Sequence, residues 1–84
     1  MTTFKVVFNY QNSHTYAIVK TDKTLVQLVN HFGNKLIDCK ALAHGFESQA
    51  IIVNLNNVIN ITVEELGQQP HNAIDLKTFK YYSA

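Results

Sequence analysis

Apolar and polar residues alternate along the first segment of the chain, a pattern typical of a half-buried β-strand. One face of this segment carries Phe4, Val6, Phe8 and Tyr10. The polar residues 11–13 follow, and residues 15–20 alternate in the same way. We therefore predict a β-hairpin over residues 4–20.

From Thr21 onwards the spacing changes to that of a helix. Apolar residues at helical intervals are Leu25, Leu28, Val29 and Phe32. Thr24 and Gln27 are spaced as a capping box, although the helix could begin one turn earlier, at Thr21 or Asp22. Gly33 follows the last apolar position and predicts the C-terminal end. So short a helix is not stable alone in water, so we expect it to pack across a sheet.

Alternation returns after Gly33-Asn34, and one apolar face then carries Ile37, Cys39 and Ala41. Residues 44–48 are interpreted as a loop. The continuous apolar run over 50–55 favours a central strand covered on both sides. Asn56-Asn57 then predicts a two-residue hairpin turn, because asparagine tolerates positive φ, and residues 59–63 alternate as its partner strand.

The C-terminal tail is compatible with two structures. Asn72 and Asp75 resemble a helix start, whereas residues 77–82 have the composition of a strand, and we favour a strand or extended segment. The whole pattern predicts a single α+β domain over residues 1–84. Its elements follow the order β-β-α-β-β, with a possible fifth strand at the C-terminus. One short helix packs on one face of a small antiparallel sheet.

Composition narrows the class of protein. With 84 residues, 46% of them hydrophobic and 15% charged, the chain is too apolar to be disordered and too short for two cores. The basic residues are all lysine, and the net charge is +1. No strong global field therefore attracts nucleic acid or anionic lipid.

Location follows from what the sequence contains. A single cysteine cannot form an intramolecular disulfide, and the alternating N-terminus lacks the apolar segment of a signal peptide. The longest strongly apolar run, residues 50–53, is far shorter than the ~20 residues of a membrane span. We expect a cytoplasmic protein that does not insert into membranes.

Candidate catalytic and metal-binding residues are few. The four histidines, His14, His31, His44 and His71, lack the spacing of a local metal motif, although the fold could bring His31, Cys39 and His44 together.

Cys39 could act as a nucleophile beside His31 or His44, but its alternation with apolar residues favours a small buried hydrophobe. Glu64-Glu65 would point to opposite faces of a strand, and the glycines form no phosphate loop. We expect no catalytic residue, metal or cofactor, and no enzyme.

Aromatic residues interleaved with lysine are the main candidates for binding. In the tail they are Lys77, Phe79, Lys80, Tyr81 and Tyr82, which we predict to form a surface for a partner protein or a second copy, since tyrosine is enriched at interfaces. The alternative is that the tail simply docks over the sheet.

A second set of aromatic residues and lysines lies on the first hairpin. It comprises Phe4, Lys5, Phe8, Tyr10, Tyr16 and Lys20, and such a surface could stack and neutralise single-stranded nucleic acid. The regular face of Phe4, Val6 and Phe8 favours core packing instead.

Residues 50–61, AIIVNLNNVINI, resemble a hairpin found in many short uncharacterised proteins of Gram-positive bacteria and their phages. In those proteins, too, an aromatic hairpin and a short helix come first. The resemblance implies a bacterial or phage accessory protein and transfers no functional residue.

Two hypotheses of function follow. The first is a small non-catalytic protein–protein interaction module that binds or inhibits an unknown partner protein. This module could also form a homodimer through a sheet edge or the tail. The second is a single-stranded nucleic-acid-binding protein, which a net charge of +1 makes the weaker of the two.

Overall fold

The computed structural model describes residues 1–68 and 70–83. Along the chain the strands and the helix are β1 (Thr2–Asn9), β2 (His14–Thr21), α1 (Leu25–Asp38), β3 (Cys39–Phe46), β4 (Gln49–Asn54), β5 (Asn60–Leu66), β6 (Ile74–Asp75) and β7 (Lys80–Ser83). Two short 3-10 helices cover Leu55–Asn57 and Leu76–Thr78. Among the residues that the structure describes, no helix is long and apolar enough to cross a membrane.

The strands form two sheets. The first sheet has the order β5-β1-β2-β6, in which only the β2–β6 pair is parallel. The second sheet has the order β4-β3-β7 and is antiparallel. The predicted α+β class is confirmed, but the strands divide between two sheets where the sequence predicted one.

One hydrophobic core joins both sheets and the helix. Its members include Phe4, Val6, Phe8, Ala17 and Val19 from the first sheet, Leu28 and Phe32 from α1, and Cys39, Leu42, Val53, Leu76 and Phe79 from the rest of the chain. Phe4, Val6 and Phe8 have no exposed surface. Burying each large apolar side chain contributes roughly 1.5–3 kcal/mol, so this face of β1 is central to stability.

The first hairpin and the helix start are confirmed. β1 and β2 pair along their whole length, with Phe8 opposite Thr15. At the start of α1, the Gln27 N–H donates to Thr24 Oγ1 at 3.2 Å, and the Thr24 N–H donates to Gln27 Oε1 at 2.9 Å. These two bonds are the capping box, and they satisfy backbone donors that a helix start leaves free.

The predicted end of the helix at Gly33 is wrong. Gly33 does not adopt positive φ, and α1 continues to Asp38, where the Cys39 N–H closes it onto the Lys35 carbonyl. Leu36 extends the packing face beyond Phe32, which favours the extra turn. Ile37 is consequently a helical residue with 79% of its surface exposed, not a strand residue sharing a face with Cys39.

The predicted loop over residues 44–48 is also wrong, because β3 continues through Phe46 and a two-residue turn leads into β4. Glu47 occupies this turn with a backbone φ of +56°, which residues other than glycine rarely adopt. A Cβ atom on Gly45 would collide with the Gln49 carbonyl oxygen, so glycine permits the close return of the chain.

Residues 50–55 are not a central strand. β4 lies at the edge of the second sheet, and Ile52 is 73% exposed. Asn56-Asn57 is not a hairpin turn, because Leu55–Asn57 is a 3-10 helix and β4 and β5 belong to different sheets. The Asn54 side chain accepts from the Asn56 N–H at 3.0 Å and begins that helix, while Leu55 is buried in the core.

In the described part of the tail, residues 72–83, the extended structure favoured from the sequence is observed, interrupted by one short 3-10 helix. The alternation predicted over 59–63 corresponds to β5, which pairs with β1. In the tail, β6, the 3-10 helix Leu76–Thr78 and β7 replace the alternative of an α-helix starting at Asn72.

Candidate functional site

The aromatic and basic residues predicted for the tail fall into three environments. Phe79 is buried in the core, Tyr81 is half-buried against α1, and Tyr82 is 44% exposed. Lys77 and Lys80 are exposed. Because successive strand residues point to opposite faces, Lys80 and Tyr82 lie on the side of the second sheet opposite Tyr81.

Lys77, Phe79 and Tyr81 line an open cleft of about 540 Å³, here called the tail cleft. Four segments meet there: Met1, the β2–α1 connection with Asp22 and Lys23, the first half of α1, and the tail from Asp75 to Tyr81. Of the tail residues that line this cleft, the sequence predicted Lys77, Phe79 and Tyr81 as binding residues but not Asp75 or Leu76, and it predicted none from α1 or the β2–α1 connection. Lys80 and Tyr82 lie outside it.

Tyr81 is held in the tail cleft by two residues of α1. His31 Nε2 lies 2.6 Å from the Tyr81 hydroxyl oxygen, and Lys35 Nζ lies 4.3 Å from the centre of the tyrosine ring. In the Nδ1–H tautomer of His31, the phenol donates to Nε2. The four-residue interval puts His31 and Lys35 on one helix face, but nothing in the sequence indicates that the tail contacts that face.

Electrostatics keep this pair neutral. Burial, followed by the charges of Lys35 and Lys23, lowers the pKa of His31. Burial, with a smaller contribution from Cys39, raises the pKa of Tyr81 well above its ordinary value. Both shifts disfavour the charged forms, so at neutral pH the contact is a hydrogen bond between an imidazole and a phenol.

The rim of the tail cleft carries charges of both signs. Asp22 and Asp75 lie with Lys23 and Lys77 among the lining residues, while Leu76 and Phe79 supply apolar surface. The Asp75 carboxylate accepts from the Lys77 N–H at 3.0 Å, and its carbonyl accepts from the Thr78 hydroxyl at 2.7 Å. These bonds fix the turn that presents Lys77.

A second cleft of about 540 Å³, here called the β2 groove, follows the side of β2 away from β1. Five consecutive residues of β2, 14–18, line it, together with the β3–β4 hairpin and residues 71, 72 and 74. β6 pairs only with Val19 and Lys20, so the rest of this edge of β2 has no strand beside it among the described residues.

His44 lines the β2 groove but is only 5% exposed. Its ring lies between Phe8 and Phe79, with centroid distances of 6.3 and 5.2 Å and interplanar angles of 19°. Neither ring nitrogen has a hydrogen-bond partner among residues 1–68 and 70–83, and burial lowers the pKa of His44. The predicted loop histidine is therefore a buried, unpartnered ring in the core.

Metal ligation through His31, Cys39 and His44 is not supported by their placement. Within the described part of the chain, no three histidine, cysteine, aspartate or glutamate residues form a group that could hold a metal ion. Cys39 is buried in the core, which agrees with its interpretation as a small hydrophobe.

The residues of the nucleic-acid hypothesis do not form one surface. Phe4 and Phe8 have no exposed surface, so a base cannot stack on them, and Tyr10 packs partly against the core. Lys5, Tyr16 and Lys20 share the outer face of the first sheet, where Lys5 Nζ lies 4.9 Å from the Tyr16 ring centre. Glu64, paired with Lys5 in the sheet, would repel a phosphate there.

No family model, curated protein or solved structure matches this chain.

Proposed function

We propose that this chain is a small non-catalytic protein–protein interaction module that binds a partner protein at the tail cleft. The observation that carries the proposal is an open cleft lined by the exposed Met1 and by the largely buried Leu76 and Phe79, with four charged side chains at its rim. Protein interfaces combine an apolar centre with a polar rim in the same way. A side chain of the partner would enter the cleft, and the rim would orient it.

Pre-organisation supports this assignment. Tyr81 is fixed by His31 and Lys35 before any partner arrives, so binding does not have to order its side chain. Ordering a mobile side chain at an interface costs about 0.5–1.5 kcal/mol of binding free energy. The tail cleft avoids that cost for Tyr81.

Charge supports a protein partner over a nucleic acid. The rim holds two carboxylates and two lysines, so it favours a partner that carries both signs. A phosphate backbone offers only negative charge and would meet Asp22 and Asp75 as well as the lysines.

The His31–Tyr81 contact also favours binding over catalysis. A general base must take a proton readily near neutral pH, and a nucleophile must lose one. Burial moves the pKa of His31 down and the pKa of Tyr81 up, which opposes proton transfer from the phenol to the imidazole. The pair is therefore better suited to holding the cleft in shape.

Residues 50–61 do not form a hairpin in this fold, so their resemblance to short proteins of Gram-positive bacteria and their phages rests on sequence alone. That resemblance supports a bacterial or phage context for the proposal. We place the protein in the cytoplasm as a bacterial or phage accessory protein that binds or inhibits its partner.

Two lysines of the tail provide a matched test. Lys77 lines the tail cleft, whereas Lys80 is equally a tail lysine but lies outside it. The tagged protein would capture partners from a Gram-positive lysate, with and without nuclease. The partner protein that is enriched would then be titrated with the wild type and with each variant by calorimetry. We expect Lys77→Glu to weaken its binding about five-fold, the scale of one reversed surface charge, and Lys80→Glu to leave it unchanged.

Equal binding by wild type and Lys77→Glu would contradict the tail cleft as the binding site. Enrichment that disappears when nuclease is added would favour the nucleic-acid hypothesis instead.

A further inference from the structure

The two sheets end in four edge strands, and unpaired strand edges readily accept another strand. Natural proteins protect such edges with charge, with irregular pairing or with very short strands. Among the described residues, the edges of β5, β6 and β7 are protected in these ways, and the uncovered residues 14–18 of β2 lie in the β2 groove beside the β3–β4 hairpin. β6 has only two residues, β5 carries Glu64 and Glu65, and β7 has four residues including Lys80, with a register shift in its pairing to β3.

β4 is the unprotected edge. Its six residues, QAIIVN, include no charge and no proline. Gln49, Ala50, Ile52 and Asn54 are exposed, and Ile52 is 73% exposed on the outer face of the sheet. Within residues 1–68 and 70–83, β3 is the strand that pairs with β4, which leaves its other edge open.

We propose that β4 pairs with the β4 strand of a second copy of this chain, in antiparallel orientation about a two-fold axis through Ile52. An antiparallel two-fold axis stands perpendicular to the sheet and keeps each face on its own side, so only residues of the same face lie opposite each other. Ile52 then faces the second copy's Ile52, and Ile51 faces the second copy's Val53.

This register buries the exposed Ile52 of each copy against Ile52 of the other copy. Side chains that lie directly opposite each other in an antiparallel pair are in contact, so each Ile52 covers the other. The result is a continuous six-stranded sheet with β7 at both ends. Because β7 and β4 are opposite edges, the tail cleft stays open in the dimer, and this inference does not depend on the proposed function.

Charge and size determine how strong the pairing is. Two uncharged β4 edges meet without repulsion, whereas two copies of β5 would bring Glu64 and Glu65 into one interface. A six-residue strand spans only about 20 Å, so the contact is well below the ~1,600 Å² of a standard interface. We therefore expect a weak dimer whose population rises with concentration.

Cysteine cross-linking tests the axis directly. Residues that face each other in an antiparallel pair have Cα atoms about 4.5–5.5 Å apart, within the range that a disulfide spans. Ile52→Cys in a Cys39→Ala background should cross-link under mild oxidation to twice the monomer mass of 9.5 kDa. Matched controls are Ile37→Cys on α1 and Ile59→Cys before β5, which are 79% and 64% exposed.

Because facing thiols have a high effective concentration, we expect Ile52→Cys to cross-link at least about ten-fold faster than either control. Equal rates at the three positions would overturn the proposal. Faster linking of Ile37→Cys would overturn it in favour of a dimer through the helix face.

Sedimentation of the wild type gives an independent measurement without engineered thiols. The mass should rise with concentration, Ile52→Lys should abolish the rise, and Ile59→Lys should preserve it. A wild type that stays monomeric up to millimolar concentration, or a rise unaffected by Ile52→Lys, would contradict the β4 interface. Either result leaves the tail cleft untouched.

Discussion

The tail cleft contains a partly buried histidine, His31, and the β2 groove a buried one, His44. The two histidines differ in the hydrogen bonds that their ring nitrogens make. His31 has a hydrogen-bond partner in Tyr81 at 2.6 Å. His44 has none among the described residues and lies between Phe8 and Phe79. A polar ring that is hydrogen-bonded fixes local geometry, whereas an unpartnered one costs folding free energy. The difference makes the tail cleft the better fixed of the two regions, which supports our proposal that a partner binds there, whereas the unpartnered His44 lowers stability at the β2 groove.

Phe79 contacts both the tail cleft and the ring of His44 in the β2 groove. Of the substitutions considered, its replacement should lower the stability of the protein most. Its ring lies 5.2 Å from His44, 6.2 Å from Phe32 and 6.5 Å from Tyr81, measured between centroids. We expect Phe79→Ala to lower the free energy of unfolding by about 3–5 kcal/mol, because it leaves a cavity in the core. Urea denaturation measures this. A loss below about 1 kcal/mol would show that Phe79 is a surface binding residue and not a core residue.

His44 should make stability depend on acidity. Burial lowers its pKa in the folded state, so between that value and the ordinary 6.5 the unfolded chain binds more protons. Stability is therefore full above pH 6.5 and falls as the pH decreases below it, by at most about 1.4 kcal/mol per pH unit for one histidine. His31, whose pKa is also lowered, adds a contribution of the same sign.

The matched variants for this prediction are His44→Phe and His14→Gln. His44→Phe keeps a flat ring between Phe8 and Phe79 and removes the unpartnered nitrogens, so we expect it to stabilise the protein by about 1 kcal/mol at pH 7 and to flatten the decline in acid. His14→Gln changes an exposed histidine and should retain that decline. Urea denaturation from pH 5 to 7.5 provides the readout, and an unchanged pH profile in His44→Phe would contradict the assignment.

Tyr81 and Tyr82 provide the finest comparison, since they are neighbours on opposite faces of β7. Tyr81→Phe removes the bond to His31 and should cost about 0.5–1.5 kcal/mol. Tyr82→Phe should change stability by less than about 0.5 kcal/mol, because Tyr82 is 44% exposed on the outer face of β7. Thermal unfolding of both variants measures the difference. Equal values would show that the His31–Tyr81 bond contributes nothing to holding the tail.

Local signals in the sequence predicted the first hairpin and the start of α1. The alternation of Phe4, Val6 and Phe8 and the capping pair of Thr24 and Gln27 act over a few residues, so no tertiary contact can override them easily. The predicted end of α1 at Gly33 was wrong because glycine is tolerated inside a helix whose apolar face continues, here through Leu36.

The second sheet was not predictable for a different reason. Its hairpin turns at Glu47-Ser48, which lacks the Asn-Gly or Asp-Gly signal of tight turns, and the apolar run of β4 occurs at an edge where a charged or polar residue is usual. The candidate site was predicted in part. The aromatic tail was evident, but its contacts with His31 and Lys35 join residues about fifty positions apart and exist only in the folded chain.

The most direct test of the tail cleft is nuclear magnetic resonance of the isotope-labelled protein titrated with its captured partner. The account predicts that the largest amide shifts fall within residues 21–31 and 75–81, the two segments that contain most of the residues lining the tail cleft. Shifts concentrated in residues 14–18 and 44–51, along the β2 groove, would contradict it and assign binding to the region that contains the unpartnered histidine.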